Sequence, residues 1–371
     1  MQKILIDLSP LKSGGGCQLA YNFLTVLSKL PQQHFVILKP DIGPLAEIDT
    51  QFTAFEMITA PTSKVAERLR FEHFELPKIY KKHEIEKIFT FFGPGLPHPA
   101  HIKSIVSVAY PIICYDDSPF WEHLPFKAKI KQKLVNFARK NRLKKASLII
   151  AETPVMQQRL AQTLHRNEKD IKIIEPAPSL FVTERQAKPT IDPTNPRFLV
   201  LSGTLPHKNV WRLLEIAQHL STQIPNFTIT ITTTAEQFAA LPHSVPFDAA
   251  IADKHFAFKG TVHPSQIGTF YENTDFLLIL SDLESFSNNY MEAWKAGVAI
   301  ISSDRDFARA ACINSAVYVE PHNAAETATK MAAIAQDNTA RCQLVAEGKA
   351  LLQHLPDPQQ RTQKILDIIL N

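Results

Sequence analysis

Three charged side chains in the second half of the chain, Lys208, Glu284 and Glu292, have the types and spacing to grip one ligand that is both anionic and rich in hydroxyls. A carboxylate can only accept hydrogen bonds, so it suits hydroxyl donors, whereas a lysine ammonium is a compact charge suited to the oxygens of a departing diphosphate. Leu277–Leu280 reads as a buried strand that leads into a short loop carrying Glu284. A helix then follows with Ser287 or Asn288 as its N-cap, contains Glu292, and stops at Gly297. The free N–H groups and positive dipole end of such a helix would accept a diphosphate. Spacing alone leaves a plainer reading open, in which Glu292 is a solvated helix residue and Glu284 a loop charge.

Two further stretches could meet the same ligand. In Leu199-Val200-Leu201-Ser202-Gly203-Thr204-Leu205-Pro206-His207-Lys208-Asn209 a strand ends in a glycine turn, and a lysine stands at the mouth of a helix. Taken alone, Lys208 reads equally well as an exposed helix-start residue. Near the beginning, Ser13-Gly14-Gly15-Gly16 separates the first strand from a helix expected over Leu19–Leu30, and its glycines would let the backbone approach a ligand closely. It is not G-x-G-x-x-G, so the usual fingerprint of a nicotinamide-binding domain is missing, and a plain strand-to-helix turn stays open.

Glu284 and Glu292 enclose seven residues, Phe286 stands two places after the first, and Glu292-Ala293-x-x-x-Gly297 closes the run. This pattern resembles the E-x7-E signature of the retaining GT-B glycosyltransferases of family four, the glycosyl transferases of group 1. The resemblance implies that Glu284 meets the donor sugar near the reacting carbon and Glu292 holds the ribose. It also implies that the backbone of Phe286, Ser287 and Asn288 lies by the sugar and phosphates. Gly203, Thr204 and Lys208 correspond to the family's phosphate-binding stretch, Gly15 and Gly16 to its glycine loop, and Thr261 and Val262 to the backbone that meets the nucleobase. Ser285-Phe286-Ser287 replaces the usual Gly-Phe-Gly, and His207 stands where an arginine is common, so that second cation is expected to be weak or pH-dependent. The likeness is strong from Phe198 to about Pro321 and is one of organisation only in the first half.

The implied reaction moves a hexose from a nucleoside-diphosphate sugar to a saccharide or lipid-linked acceptor with retention, as in the assembly of cell-surface polysaccharide or lipopolysaccharide. The resemblance implies no metal and no cofactor beyond the donor. Asp304-Arg305-Asp306 matches the D-x-D string of a different glycosyltransferase fold and is read as chance; His98 and His101 lack the spacing of a zinc site. Asp116 and Asp117 are candidates on the acceptor side. Two alternatives remain: a sugar-nucleotide epimerase of the same architecture, which needs no acceptor, and a catalytically silent nucleotide-sugar-binding protein.

These residues must be carried by an α/β framework. Short β-branched runs alternate with amphipathic helical stretches, the pattern of parallel sheets covered on both faces. Strands are expected at Lys3–Leu8, His34–Leu38, Lys87–Phe91, Ser104–Ala109, Ser147–Ala151 and Lys172–Ile174. In the second half they fall at Arg197–Leu201, Thr228–Thr232, Phe256–Lys259, Phe276–Leu280, Val298–Ser302 and Ala316–Val319. The expected organisation is GT-B: two Rossmann-like doubly wound domains facing each other across a cleft. The boundaries are 1–186 for an acceptor-binding domain, 187–196 for a proline-punctuated linker, 197–355 for the nucleotide-sugar domain, and 356–371 for a terminal helix packing back on the first domain.

From Phe126 to Lys145 the chain carries many cations and no acid, with Phe126, Ile130, Leu134, Phe137 and Asn141 at helical spacing. Such a helix either rests on anionic lipid through the Lys127–Lys145 stretch or packs on its domain with hydrated lysines. A net charge of +4 is too small to suggest nucleic acid, and Cys17, Cys114, Cys312 and Cys342 show no metal or redox spacing. The opening residues run straight into a strand pattern without a secretion signal, so a cytoplasmic protein is expected, either free or on the inner face of the membrane.

Overall fold

The computed structural model describes residues 3–12, 14–29, 35–188 and 190–371. Ser13 of the glycine turn, Leu30, His34 and Pro189 of the expected linker lie outside these. The chain divides into two compact units, the first formed by Met1–Asp116, Phe126–Ala177 and Pro356–Asn371, the second by Asp117–Pro125 and Pro178–Leu355.

The first unit holds a seven-stranded parallel sheet made of β1 (Ile4–Asp7), β2 (Phe35–Pro40), β3 (Glu56–Ala60), β4 (Lys87–Thr90), β5 (Lys103–Ser107), β6 (Leu148–Ala151) and β7 (Ile171–Ile173), in the order 3-2-1-4-5-6-7. β1 is buried along its whole length and pairs Ile4 with Phe35 on one side and Lys87 on the other. Near-continuous Ile, Val and Leu are what a strand covered on both faces requires. β3 was not expected from the sequence. It is an edge strand whose Glu56 is exposed, so it shows neither an apolar run nor a clean alternation.

The second unit repeats the plan with six parallel strands: β8 (Arg197–Val200), β9 (Thr228–Ile231), β10 (Phe256–Phe258), β11 (Phe276–Ile279), β12 (Ala299–Ser303) and β13 (Ala316–Val319), in the order 10-9-8-11-12-13. In both sheets the strand order reverses beside the first strand, between β1 and β4 and between β8 and β11. Such a switch point leaves a crevice at the carboxyl ends, because the crossovers on either side depart in opposite directions.

Two boundaries differ from the expected ones. The second unit begins at Pro178, and the stretch expected as a linker packs on it. Arg185 donates from its N–H to Lys295 O, and Lys188 joins Arg197 on the Asp275 carboxylate at 2.9 and 2.8 Å. Gly297, at φ +70°, lies so close that a Cβ there would stand 2.6 Å from Gln186 O. The segment Asp117–Pro125 also belongs to the second unit although it interrupts the first in sequence. The terminal helix Pro358–Leu370 buries Ile365, Leu366 and Ile369 in the core of the first unit, where Lys87 Nζ donates to Ile369 O at 2.8 Å.

The helix Phe126–Leu143 settles which of its faces packs. Asn136 and Leu143, seven residues apart, are buried, and Asn136 Nδ2 donates to Ile112 O at 2.7 Å. The apolar stripe points elsewhere: Phe126 is 76% exposed, Leu134 and Phe137 66% each, and Ile130 45%.

Candidate functional site

At the switch point of the second sheet, two neighbouring strands release the two loops that carry the charged residues. The chain leaves β8, runs exposed through Gly203 and Thr204, and makes a short turn at Pro206–Lys208. Asn209 closes that turn at φ +54°, a left-handed conformation that asparagine tolerates better than most side chains. From β11 the chain passes through Ser281 and Glu284 to the helix Asn288–Ala296, which Gly297 ends in the left-handed region.

Lys208 and Glu284 meet in an ion pair whose side chains are 23% and 13% exposed. Ser281 Oγ donates to the same Glu284 oxygen at 2.9 Å. Ser287 is the N-cap of the helix in extended conformation, without a side-chain cap bond, and the first turn contains no acid. The first N–H groups of that helix are therefore not neutralised by its own side chains. Asn289 Nδ2 donates to Leu201 O at 2.9 Å and ties the helix start to the β8 loop. A small crevice forms here, with Ser202, Lys208, Ser281, Glu284, Ser287 and Asn289 among its walls.

The remaining expected residues of this unit are not among the walls of that crevice. Phe286 is half-buried with its ring 5.9 Å from that of Tyr290, and Asn288 opens the helix. Glu292 is buried and receives a hydrogen bond from Tyr271 Oη at 3.3 Å. Burial pushes its carboxyl up to about 7, against that bond and the nearby Lys295. Thr261, exposed, and Val262 follow Gly260, whose N–H donates to Thr233 O at 3.0 Å beyond β10. Burial first, and the Lys208 charge second, hold the His207 imidazole down at about 4, which makes it a weak cation. It is neutral across the physiological range and supplies no pH-dependent cation.

Gly15 and Gly16 belong to the first unit, where they open the helix Gly15–Leu27, four residues earlier than expected. A Cβ on Gly16 would stand 3.0 Å from Leu11 and 3.3 Å from Phe92, so close packing is one reason for glycine there. Asp116 is also in the first unit, exposed and 3.4 Å from Lys140, while the exposed Asp117 begins the segment that joins the second.

Sequence reasoning missed a charge network beneath the crevice. Asp282 is wholly buried, and Arg305 bridges it to Glu320. His322 and Asn209 reach the same aspartate at 2.8 and 2.7 Å. Burial pushes the Asp282 carboxyl up, but the bonds from His322, Asn209 and Arg305 outweigh it and hold the group below its ordinary range. In the D-x-D string, Asp304 is bound to Arg309 and Arg305 to this network. The signal was present as an acid two residues before Glu284, but its partners lie on separate loops.

Residues 182–351 match the model of a family described as glycosyl transferases group 1. No curated protein matches the chain in sequence. Among solved structures, the chain is similar to sucrose-phosphate synthase from Thermosynechococcus elongatus, with a TM-score of 0.75 at 14% identity over 99% of this chain and 98% of that one. It is similar to WaaG, a glycosyltransferase involved in lipopolysaccharide biosynthesis, at 0.73 and 15% over 99% of both. HepE of Anabaena, solved with UDP and glucose, gives 0.69 and 14% over 100% of both. At such identities the likeness carries the fold, which is GT-B, built from two Rossmann-like parallel-sheet domains.

Proposed function

We propose, from the premise that the region 182–351 belongs to the glycosyl transferases of group 1, that this glycosyltransferase moves a hexose from a nucleoside-diphosphate sugar to a saccharide or lipid-linked acceptor with retention. The observation that carries the reading is the convergence of Lys208, Glu284 and the uncapped start of the helix Asn288–Ala296 on one crevice at a sheet switch point. The ammonium and the helix N–H groups would neutralise the diphosphate as the bond from C1 to its oxygen breaks. The acceptor oxygen would bond to C1 from the same face, and the leaving oxygen would take its proton, so that atoms and charge balance without a metal or further cofactor. Glu284 would then orient the sugar, and Glu292 the ribose, with Gly203, Thr204, Phe286, Ser287 and Asn288 beside the donor and Thr261 and Val262 beside its base. Gly15 and Gly16 would also stand beside the donor, and Asp116 and Asp117 are the candidates for the acceptor side.

HepE, solved with UDP and glucose, makes UDP the first nucleotide to try. WaaG and its role in lipopolysaccharide biosynthesis support an acceptor in cell-surface glycan assembly. Such an acceptor would be met on the cytoplasmic face of a membrane, and the exposed apolar stripe and cations of the helix Phe126–Leu143 support contact with anionic lipid. No helix among the described residues is long and apolar enough to cross a bilayer. The test is titration of UDP, ADP and GDP with chelator present, on the wild type and on Glu292→Ala. One of the three should bind and the variant should bind it at least roughly tenfold more weakly; equal binding by both would remove the assignment. An epimerase would instead interconvert sugars with no acceptor added.

A further inference from the structure

Asp282 touches both neighbours of Lys208. Its backbone N–H donates to the carbonyl of His207 at 2.8 Å, and its Oδ2 accepts from Asn209 Nδ2 at 2.7 Å. Asn209 spends its second amide hydrogen on Leu280 O at 2.9 Å, so its side chain is fixed between β11 and the aspartate. The Asp282 carbonyl accepts from Ser118 Oγ at 3.1 Å. Its Oδ1 accepts from Arg305 at 2.8 and 3.2 Å. His322 Nε2 completes the set at 2.8 Å on Oδ2, while its Nδ1 faces His123 Nε2 at 3.1 Å. Every polar atom of this buried residue is thus engaged. Two of the contacts hold the residues on either side of the lysine, and Asp282 itself stands two places before Glu284.

A lysine has a flexible four-carbon stem, so an isolated one spreads its charge over a wide volume. Anchoring its backbone on both sides confines that volume, and anchoring it to the strand-to-helix loop fixes it relative to Glu284 and the helix start. Arg305 is held in turn by both oxygens of Glu320 at 2.8 and 2.9 Å, which keeps the guanidinium from swinging into the crevice. The ion pair is buried, so losing one partner leaves an uncompensated charge and disturbs everything attached to it.

We propose that Asp282 is a positioning residue that sets the separation of Lys208 from Glu284 and from the start of the helix Asn288–Ala296. The role rests on the reading of Lys208 as the diphosphate-binding cation. It implies that most of the damage to the clamp reaches the ligand through Lys208.

The test is a double-mutant cycle read by UDP titration. Asp282→Asn keeps the size of the side chain but removes the charge. Asn209→Gly keeps the left-handed turn and removes the amide, so it preserves a folded alternative should Asp282→Asn fail to fold. In the Lys208 background either change should weaken UDP roughly tenfold, and in the Lys208→Ala background by less than about twofold. Equal losses in both backgrounds, or unchanged UDP affinity in a folded Asn209→Gly protein, would overturn the role. If Lys208→Ala alone left UDP affinity unchanged, the diphosphate assignment itself would fall, a result distinct from additivity in the cycle.

Discussion

The two sheets offer the same topological opportunity and use it differently. At the switch point of the second sheet, between β8 and β11, one cation and one acid meet in a crevice beside a network in which the buried Asp282 joins Arg305, Glu320 and His322. At the switch point of the first, between β1 and β4, the turn is glycine, and the strand ends are lined by Phe91, Phe92 and a buried Asp7. That aspartate is satisfied within its own unit by Ser9 and Thr90 at 2.6 and 3.1 Å. Burial pushes the Asp7 carboxyl above its ordinary range, against the bonds from Ser9 and Thr90. One architecture has thus been given a charged crevice in one unit and, in the other, glycines, buried aromatic rings and an aspartate satisfied by its own neighbours. Function is read from the side chains at the switch point, because the sheet order is shared by both.

Removing the charge from the second switch point should produce the largest effect. Lys208→Ala is expected to slow sugar transfer on the order of 100-fold, roughly 3 kcal/mol of transition-state stabilisation, in initial rates of donor consumption. A loss below about threefold would erase the contrast between the two switch points.

The first unit has its own exposed feature, the apolar stripe and the cations of the helix Phe126–Leu143. The wild type should co-sediment with vesicles containing phosphatidylglycerol and less well as salt rises, since surface charge is screened within about 8 Å at physiological ionic strength. Leu134→Ser combined with Phe137→Ser should weaken that binding roughly tenfold. It should barely change the melting temperature, because both side chains are 66% exposed. A double variant that still binds vesicles as the wild type does would assign the stripe no lipid role.

Glu292 gives a smaller, pH-dependent effect. Its folded carboxyl sits at about 7, above the ordinary value of 4.5, so the fold favours its proton. The stabilisation that follows is complete below pH 4.5 and is lost as pH rises through 7. Glu292→Gln cannot ionise, so its melting temperature should gain on the wild type between pH 4.5 and 7.5; parallel curves would contradict a buried, proton-favouring site.

The smallest effect belongs to His207. Because it is neutral above about pH 4, His207→Asn should leave UDP affinity within about twofold from pH 6 to 8, and a lost titration near 6.5 would show it charged in the site.

Twelve of the strands were legible because each is a short apolar run closed by polar or glycine residues, as in Phe276–Ile279 before Ser281. β3 was hidden because an edge strand buries little, and Glu56 interrupts any pattern. Glu284, Glu292 and Lys208 were legible as a local motif. Asp282 was not, since its meaning comes from Asn209, Arg305 and His322, which meet it only after the second sheet has formed. The side of the basic helix that packs was also unreadable, because Asn136, a polar residue, is the buried one and the phenylalanines are not.

The most direct measurement is a crystal structure with UDP bound. The diphosphate should lie at the start of the helix Asn288–Ala296 within hydrogen-bond reach of Lys208 Nζ, with Lys208 drawn off Glu284 toward it. A nucleotide seated elsewhere, with the Lys208–Glu284 pair intact, would contradict the assignment of the second switch point as the donor site.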